Sequence, residues 1–223
     1  MRDAIAAFLL GYPALFSIVN PLSGAFIFRE VAAHRDPLER ATLARQVATY
    51  ALVVMVGALW AGSFMLAFFG ISLAALRVAG GLVVALSGWD LLNNPQKRED
   101  RKQEQAAPSE ATPESTQDVA LFPLTIPITT GPGTIAVAVA LGSGHPRTFP
   151  GAVWFFVGMT AAAAALALTI WITYHSADRV ARMMGPTGSR TISRLAAYPL
   201  LCVGVQILIA GVEDVLSPLL TPR

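Results

Sequence analysis

The sequence has few charged residues and almost no cysteine. Only 13% of its 223 residues are Asp, Glu, Lys or Arg, and 54% are hydrophobic, whereas a soluble domain carries about 25% charged residues. This deficit excludes an ordinary soluble domain and indicates an integral membrane protein. Cys202 is the only cysteine, which excludes an internal disulfide and a multi-cysteine metal site. We expect it to be a small apolar packing residue.

The motifs of several enzyme and pump classes are missing as well. No glycine-rich phosphate loop ending in Gly-Lys-Ser/Thr is present, so the energy for any transport would come from an ion or solute gradient. The three histidines lack metal-ligand spacing. No nucleophile with a base and no paired carboxylates lie near the middle of the apolar stretches. We therefore expect no enzyme activity, no cofactor and no metal site.

The sequence does have six long apolar stretches. A helix needs about 20 mostly apolar residues to cross a bilayer, and each stretch reaches that length. They cover residues 4–28, 46–69, 71–92, 118–141, 149–174 and 195–217. The predicted fold is all-α, a polytopic membrane protein with six transmembrane helices.

The basic residues predict the orientation of the chain. Most of the 16 Lys and Arg residues lie in three loops on one side of the membrane, which the positive-inside rule assigns to the cytoplasm. They are Arg29, Arg35, Arg40, Arg45, Lys97, Arg98, Arg101, Lys102, Arg179, Arg182, Arg190 and Arg194. We expect a plasma membrane (bacterial inner membrane) protein with both termini outside the cytoplasm. The first apolar stretch lacks a small-residue cleavage site, so it is not interpreted as a signal peptide.

A hydrophilic linker, residues 93–117, divides the six predicted helices into two sets of three. Its composition predicts a mobile tether or a regulatory tail, and its mixture of acidic and basic residues argues against nucleic-acid binding. Since residues 1–92 hold an odd number of helices, residues 118–223 enter the membrane from the opposite face. The two sets are therefore expected to be inverted repeats. Small residues at 80–81 and 196–197 lie at similar places in the two third helices.

Predicted helices 1 and 4 are each interrupted at a proline that follows a helix-capping residue. Asn20 precedes Pro21 in the first, and Gly131 precedes Pro132 in the fourth. A capping residue followed by proline is typical of a helix start, and proline also drives the residue before it out of the helical region. Both helices are therefore predicted to be broken, each with an upstream half that ends at the capping residue.

Each break exposes backbone groups that suit a zwitterionic solute. A half-helix N-terminus attracts a carboxylate, and upstream carbonyls and threonine hydroxyls accept hydrogen bonds from an ammonium group. No Asp, Glu, Lys or Arg lies near the middle of a predicted span, which argues against a strongly charged solute. Small residues at the breaks would let a solute approach the backbone. The predicted substrate-binding residues are Asn20, Pro21, Ser23, Gly24, Thr129, Thr130, Gly131, Pro132, Gly133 and Thr134.

A structural interpretation stays open for each break taken alone. Proline and glycine kinks are frequent in membrane helices and often serve only packing. Two interruptions at matched places in two halves favour the central site of a transporter.

The sequence resembles the MarC family of integral membrane proteins. The most specific match is Pro123-Leu124-Thr125-Ile126-Pro127 followed by Gly131-Pro132-Gly133-Thr134-Ile135. Asn20-Pro21-Leu22 followed by Phe28 is similar to the first-half signature, although Ser23 replaces a usual glycine and Phe26 a usual proline. The resemblance implies a six-helix membrane protein, with transport of glycine, alanine and similar amino acids attributed to some members.

Together these features predict a secondary transporter that works by alternating access. The expected partners are the lipid bilayer, a small neutral zwitterion such as alanine or glycine, and a coupling ion, either a proton or sodium. The resemblance leans toward export. The alternatives are a transporter or channel for another small solute, and a non-transporting membrane scaffold or sensor.

Overall fold

All regular secondary structure in the described part of the chain is helical. The computed structural model describes residues 1–68, 70, 72–94, 100–102, 104, 116–146 and 148–220, so most of the linker predicted at 93–117 lies outside the described residues. The helices are α1 (Arg2–Val19), α2 (Pro21–Val31), α3 (Pro37–Phe68), α4 (Leu73–Asn93), α5 (Thr116–Val119), the π-helical segment Ala120–Thr129, α6 (Pro132–Gly142), α7 (Phe149–His175) and α8 (Ala177–Leu220).

Five of the described helices or helix pairs are long and apolar enough to cross a membrane. They are Arg2–Val31, Pro37–Gly62, Leu73–Asn93, Phe149–His175 and Thr191–Leu216. A sixth, Thr116–Thr129 with Pro132–Gly142, is bent by 66° between its two parts. The prediction of a polytopic all-α protein is therefore confirmed, with five spans or six if the bent pair is counted as one.

The outer surface of the bundle is apolar, as a lipid-facing surface must be. Large hydrophobic side chains are exposed there, including Leu9 on α1, Val53 on α3, Leu86 on α4 and Leu168 on α7. Cys202 is also exposed. The expectation that it packs inside the protein is wrong, because this position of α8 faces outward.

Glycines bring α4 and α8 into backbone contact. A Cβ atom added at Gly88 would lie 2.6 Å from the backbone nitrogen of Leu201, and one added at Gly204 would overlap the backbone of Ala85. Real Cβ contacts are not shorter than 3.0 Å. Since lipid is as apolar as a leucine side chain, close packing of small residues replaces the hydrophobic effect between membrane helices. This glycine interface joins the third predicted helix to the sixth.

Two polar clusters lie at opposite ends of the bundle. At one end, Asp178 at the start of α8 pairs with Arg29 and Arg40, with N–O distances of 3.2 Å for both. At the other end, Arg77 near the start of α4 pairs with Asp214 near the end of α8. Arg77 also donates to the carbonyl of Ser143, which follows α6, at 2.9 Å. These three ion pairs therefore lie at the ends of the bundle, away from its centre.

A leucine in the glycine interface should destabilise the protein. Gly204→Leu forces α4 and α8 apart, and overpacking of this kind costs about 1–3 kcal/mol or more. We expect a lower melting temperature for detergent-purified Gly204→Leu. Gly57→Leu is the matched control, because no described atom lies within 4 Å of the Cβ it would add. Equal melting temperatures for the two variants would contradict the packing described here.

Candidate functional site

At the first break, the chain leaves α1 and starts α2 through one residue in the left-handed conformation. Asn20 has φ 51° and ψ 68°, a conformation that asparagine tolerates better than most residues. Its N–H donates to the carbonyl of Phe16, which ends α1, and its side-chain oxygen accepts from the N–H of Ser23 at 3.3 Å. The predicted N-cap at Asn20 with Pro21 at the first helical position is confirmed.

The side-chain amide of Asn20 also ties this break to α8. Its Nδ2 donates to the hydroxyl of Ser23 at 2.9 Å and to the hydroxyl of Ser193 at 2.6 Å. Both amide hydrogens are therefore engaged, and all three side chains are buried. Ser193 was not among the predicted site residues, because nothing in the local sequence distinguishes it from other small residues of α8.

The carbonyl of Val19, released by the break, accepts a hydrogen bond from an ammonium group. The donor is Nζ of Lys102, at 3.0 Å. Pro21 has no N–H, and the N–H of Ser23 is turned toward the Asn20 side chain, so the helix itself leaves this carbonyl without its usual partner. The Val19 carbonyl is therefore bonded to a side chain from outside its own helix.

The second break is more irregular than the sequence predicts. Phe122 and Ile126 have extended backbone inside the π-helical segment, because each precedes a proline and proline disfavours the helical region for its predecessor. The segment ends at Thr129, Gly131 is extended, and α6 begins at Pro132. The helical backbone thus resumes at Pro132, whereas the irregularity upstream begins about two turns earlier than expected.

Threonine hydroxyls donate to backbone carbonyls along this irregular segment. Thr125, Thr129 and Thr130 each donate to the carbonyl five residues earlier, at 2.6, 2.7 and 3.0 Å. Thr134 makes a longer bond of the same kind, at 3.5 Å. The four side chains are buried. Their hydroxyl protons are thus directed at the backbone, and a ligand would meet the remaining oxygen lone pairs.

Tyr174, near the end of α7, connects the two breaks. Its hydroxyl lies 2.9 Å from Oγ1 of Thr129, and since the Thr129 proton is donated to the carbonyl of Leu124, the tyrosine is the donor in this contact. The same hydroxyl occupies the space that a Cβ at Gly24 would need. Its ring stacks on Phe28 with the centroids 5.0 Å apart. A buried tyrosine hydroxyl therefore touches α2 and the π-helical segment at once.

The sequence contains no signal that marks Tyr174, which ends an ordinary apolar stretch. The structure also changes the role of two predicted small residues. Space beside Gly24 is filled by Tyr174, and a Cβ at Gly131 would lie 2.6 Å from the carbonyl oxygen of Pro127. Because Gly24 and Gly131 have no side chain, other atoms of the protein occupy the space beside them.

Three other predicted site residues differ in exposure: Pro21 is buried, Gly133 is partly buried and Pro132 is exposed.

No group of three His, Cys, Asp or Glu residues that could hold a metal occurs within the described ranges. The site is thus built from backbone carbonyls, helix N-termini, hydroxyls and one asparagine. These groups can form hydrogen bonds, and the helix N-termini add partial positive charge.

Interrupted helices packed in an apolar bundle define a multi-pass helical membrane protein. A family model for MarC family integral membrane proteins matches residues 5–216, and the chain belongs to that family. Similar proteins named inner membrane protein MarC include those of Citrobacter koseri, 33% identical, Salmonella typhimurium, 34% identical, and Escherichia coli, 32% identical.

Each of these matches covers 97% of this chain and 99% of the relative. The family match and the relatives' names place the chain in the inner membrane as a multi-pass protein. No solved structure matches the chain significantly.

The contact between Gly24 and Tyr174 predicts a compensating pair of substitutions. Gly24→Ala should destabilise the protein, because its Cβ overlaps the Tyr174 hydroxyl. Tyr174→Phe removes that oxygen and leaves ring carbons 3.1 Å from the new Cβ, so the double variant should melt at a higher temperature than Gly24→Ala alone. Coupling of about 0.5–3 kcal/mol is expected for residues in contact. Strictly additive effects in a thermal-melting cycle would show that the two residues do not meet.

Proposed function

We propose that the protein is a secondary transporter of small neutral amino acids, such as alanine or glycine, which works by alternating access. The observation that carries this proposal is the meeting of the two helix breaks at the Tyr174 hydroxyl, which touches Thr129 and the backbone beside Gly24. Interrupted helices in corresponding positions of two halves are the usual construction of a transporter's central site.

The contacts at the bundle ends support six crossings. Arg35, which precedes α3, donates to the hydroxyl of Thr116 at 3.1 Å, so α5 begins where α3 begins. Gly142, at the end of α6, packs directly on the backbone of Leu59, late in α3. The chain from Thr116 to Gly142 thus runs between opposite ends of the bundle. This favours a broken span over a re-entrant loop, and an even number of spans puts both termini on the same side.

The glycine interface supports an inverted repeat. Gly88 packs on Leu201, and Gly204 packs on Ala85. These contacts pair residues of α4 and α8 in reverse order along the chain, so the two helices run antiparallel. The third helices of two inverted repeats would have this relative direction.

The chemistry of the breaks supports a zwitterionic solute. The Val19 carbonyl already accepts a hydrogen bond from the Lys102 ammonium, and the amino group of an amino acid has the same charge and donors. The N-terminal turn of α6, which starts at Pro132, provides a dipole for the carboxylate. The ion pair of Arg77 with Asp214 lies near one end of the bundle, and no charged residue lies near the middle of a predicted span, which favours a neutral molecule as the cargo. A proton or sodium gradient would drive transport, with export favoured.

Removing the Lys102 ammonium should strengthen solute binding if the Val19 carbonyl receives the solute's amino group. We expect Lys102→Met to lower the apparent KM for alanine several-fold. Arg101→Met is the matched control, since it removes the same charge from an exposed neighbour. An unchanged KM for Lys102→Met, or an equal change for Arg101→Met, would exclude competition at this carbonyl.

The function is tested by exchange in proteoliposomes. Vesicles preloaded with unlabelled alanine or glycine should take up the labelled amino acid through the wild-type protein.

Gly133→Leu places a bulky side chain in the first turn of α6. This variant should abolish exchange while the protein remains folded, and Gly57→Leu should retain exchange. Ser23→Gly should broaden or shift the substrate range. Absence of exchange by folded wild-type protein would contradict amino acid transport, and full exchange by Gly133→Leu would exclude this turn as the site.

A further inference from the structure

A pocket opens at the end of the bundle where α2 ends and α3 and α8 begin. Its volume is about 300 Å³, at the lower end of the range for small-molecule sites. Phe28 and Tyr174 contribute to its lining, together with Arg29, Arg40 and Asp178. None of these five residues was predicted to bind substrate.

The inner wall of the pocket is an aromatic pair that also borders the breaks. Phe28 and Tyr174 are each only 2% exposed, and their stacked rings face the pocket. The Tyr174 hydroxyl points the other way, to Thr129 and the backbone at Gly24. The ring of Tyr174 therefore borders the pocket, and its hydroxyl borders the candidate site.

The rim of the pocket carries more positive than negative charge. Asp178 is shared between Arg29 and Arg40 at 3.2 Å from each, and Arg40 also donates to the carbonyl of Ala32 at 2.8 Å. The remaining Nη2 of Arg40 donates to the carbonyl of Ala33. Arg29 contacts Asp178 through Nε, so the Nη groups of Arg29 are the donors for a second carboxylate. Arginine is well suited to this because its planar donor group binds carboxylates with two parallel hydrogen bonds.

We propose that this pocket is the vestibule of the site between the two breaks, and that the Tyr174 side chain is the gate between them. The inference rests on the proposed transport function. A small zwitterion enters with its carboxylate against the rim arginines and passes to the breaks when the tyrosine swings into the pocket. Thr129 keeps its bond to the Leu124 carbonyl, and the tyrosine hydroxyl moves toward water, so opening leaves neither group without a partner.

Cysteine accessibility tests the gate without measuring transport. Cys202 is the only cysteine, so Cys202→Ala provides a thiol-free background. Ala41→Cys places a reporter in the pocket lining, and Ser23→Cys places one at the first break, beside Gly24. A membrane-impermeant cationic methanethiosulfonate is applied to the vesicle face from which Ala41→Cys reacts.

With Tyr174 intact, the Ser23→Cys thiol should be protected while the Ala41→Cys thiol reacts. Tyr174→Ala should increase the reaction rate of Ser23→Cys at least tenfold, whereas Tyr174→Phe, which keeps the ring, should increase it much less. Leu166→Ala is the control for general loosening, because Leu166 is a buried residue of the same helix. It should leave the Ser23→Cys thiol protected.

Three results would overturn the gate: equal reactivity of Ser23→Cys with and without Tyr174, no reaction in Tyr174→Ala, or equal exposure by Leu166→Ala. A different result would contradict amino acid transport. If the labelling pattern holds and no amino acid exchange occurs, then the gate leads to a site for another solute.

Discussion

In the hydrocarbon core of a bilayer, a backbone N–H or C=O group that leaves its helix has no water to bond to, and each unsatisfied group costs several kcal/mol. Both breaks in this protein are organised by that constraint. At the first, Asn20 supplies a left-handed turn, an acceptor for the Ser23 N–H and donors for two serines, while Lys102 meets the Val19 carbonyl. At the second, the hydroxyls of Thr129 and Thr130 donate to the backbone carbonyls of Leu124 and Thr125. A solute that bound at these breaks would exchange with hydrogen bonds already present.

The packing of the helices also depends on the hydrocarbon core of the bilayer. Lipid does not press apolar surfaces together, so α4 and α8 meet through glycine and backbone. Within the candidate site, glycine has a different use, since Gly24 leaves room for a tyrosine hydroxyl. The bundle is thus closely packed where α4 and α8 meet, and at the breaks it is held by short polar contacts, which are easier to rearrange than packed apolar surfaces.

Local features were predictable from the sequence because they depend on neighbouring residues. Apolar length predicted the spans, and the pairs Asn20-Pro21 and Gly131-Pro132 predicted both helix restarts. The contacts of Lys102, Tyr174 and Ser193 were not predictable, because each joins residues far apart in the chain. The π-helical irregularity upstream of Thr130 has a local cause, because Pro123 and Pro127 each drive the residue before them, Phe122 and Ile126, out of the helical region.

The function proposed for this member of the MarC family depends on the two breaks forming one site for a small zwitterion. The most direct measurement is a structure of the protein in lipid nanodiscs with saturating L-alanine. The account predicts density for the amino acid between the Asn20–Gly24 segment and the Thr130–Thr134 segment, with the amino group near backbone carbonyls and the carboxylate near a half-helix N-terminus. Density for alanine elsewhere in the bundle, or none at saturation, would contradict it.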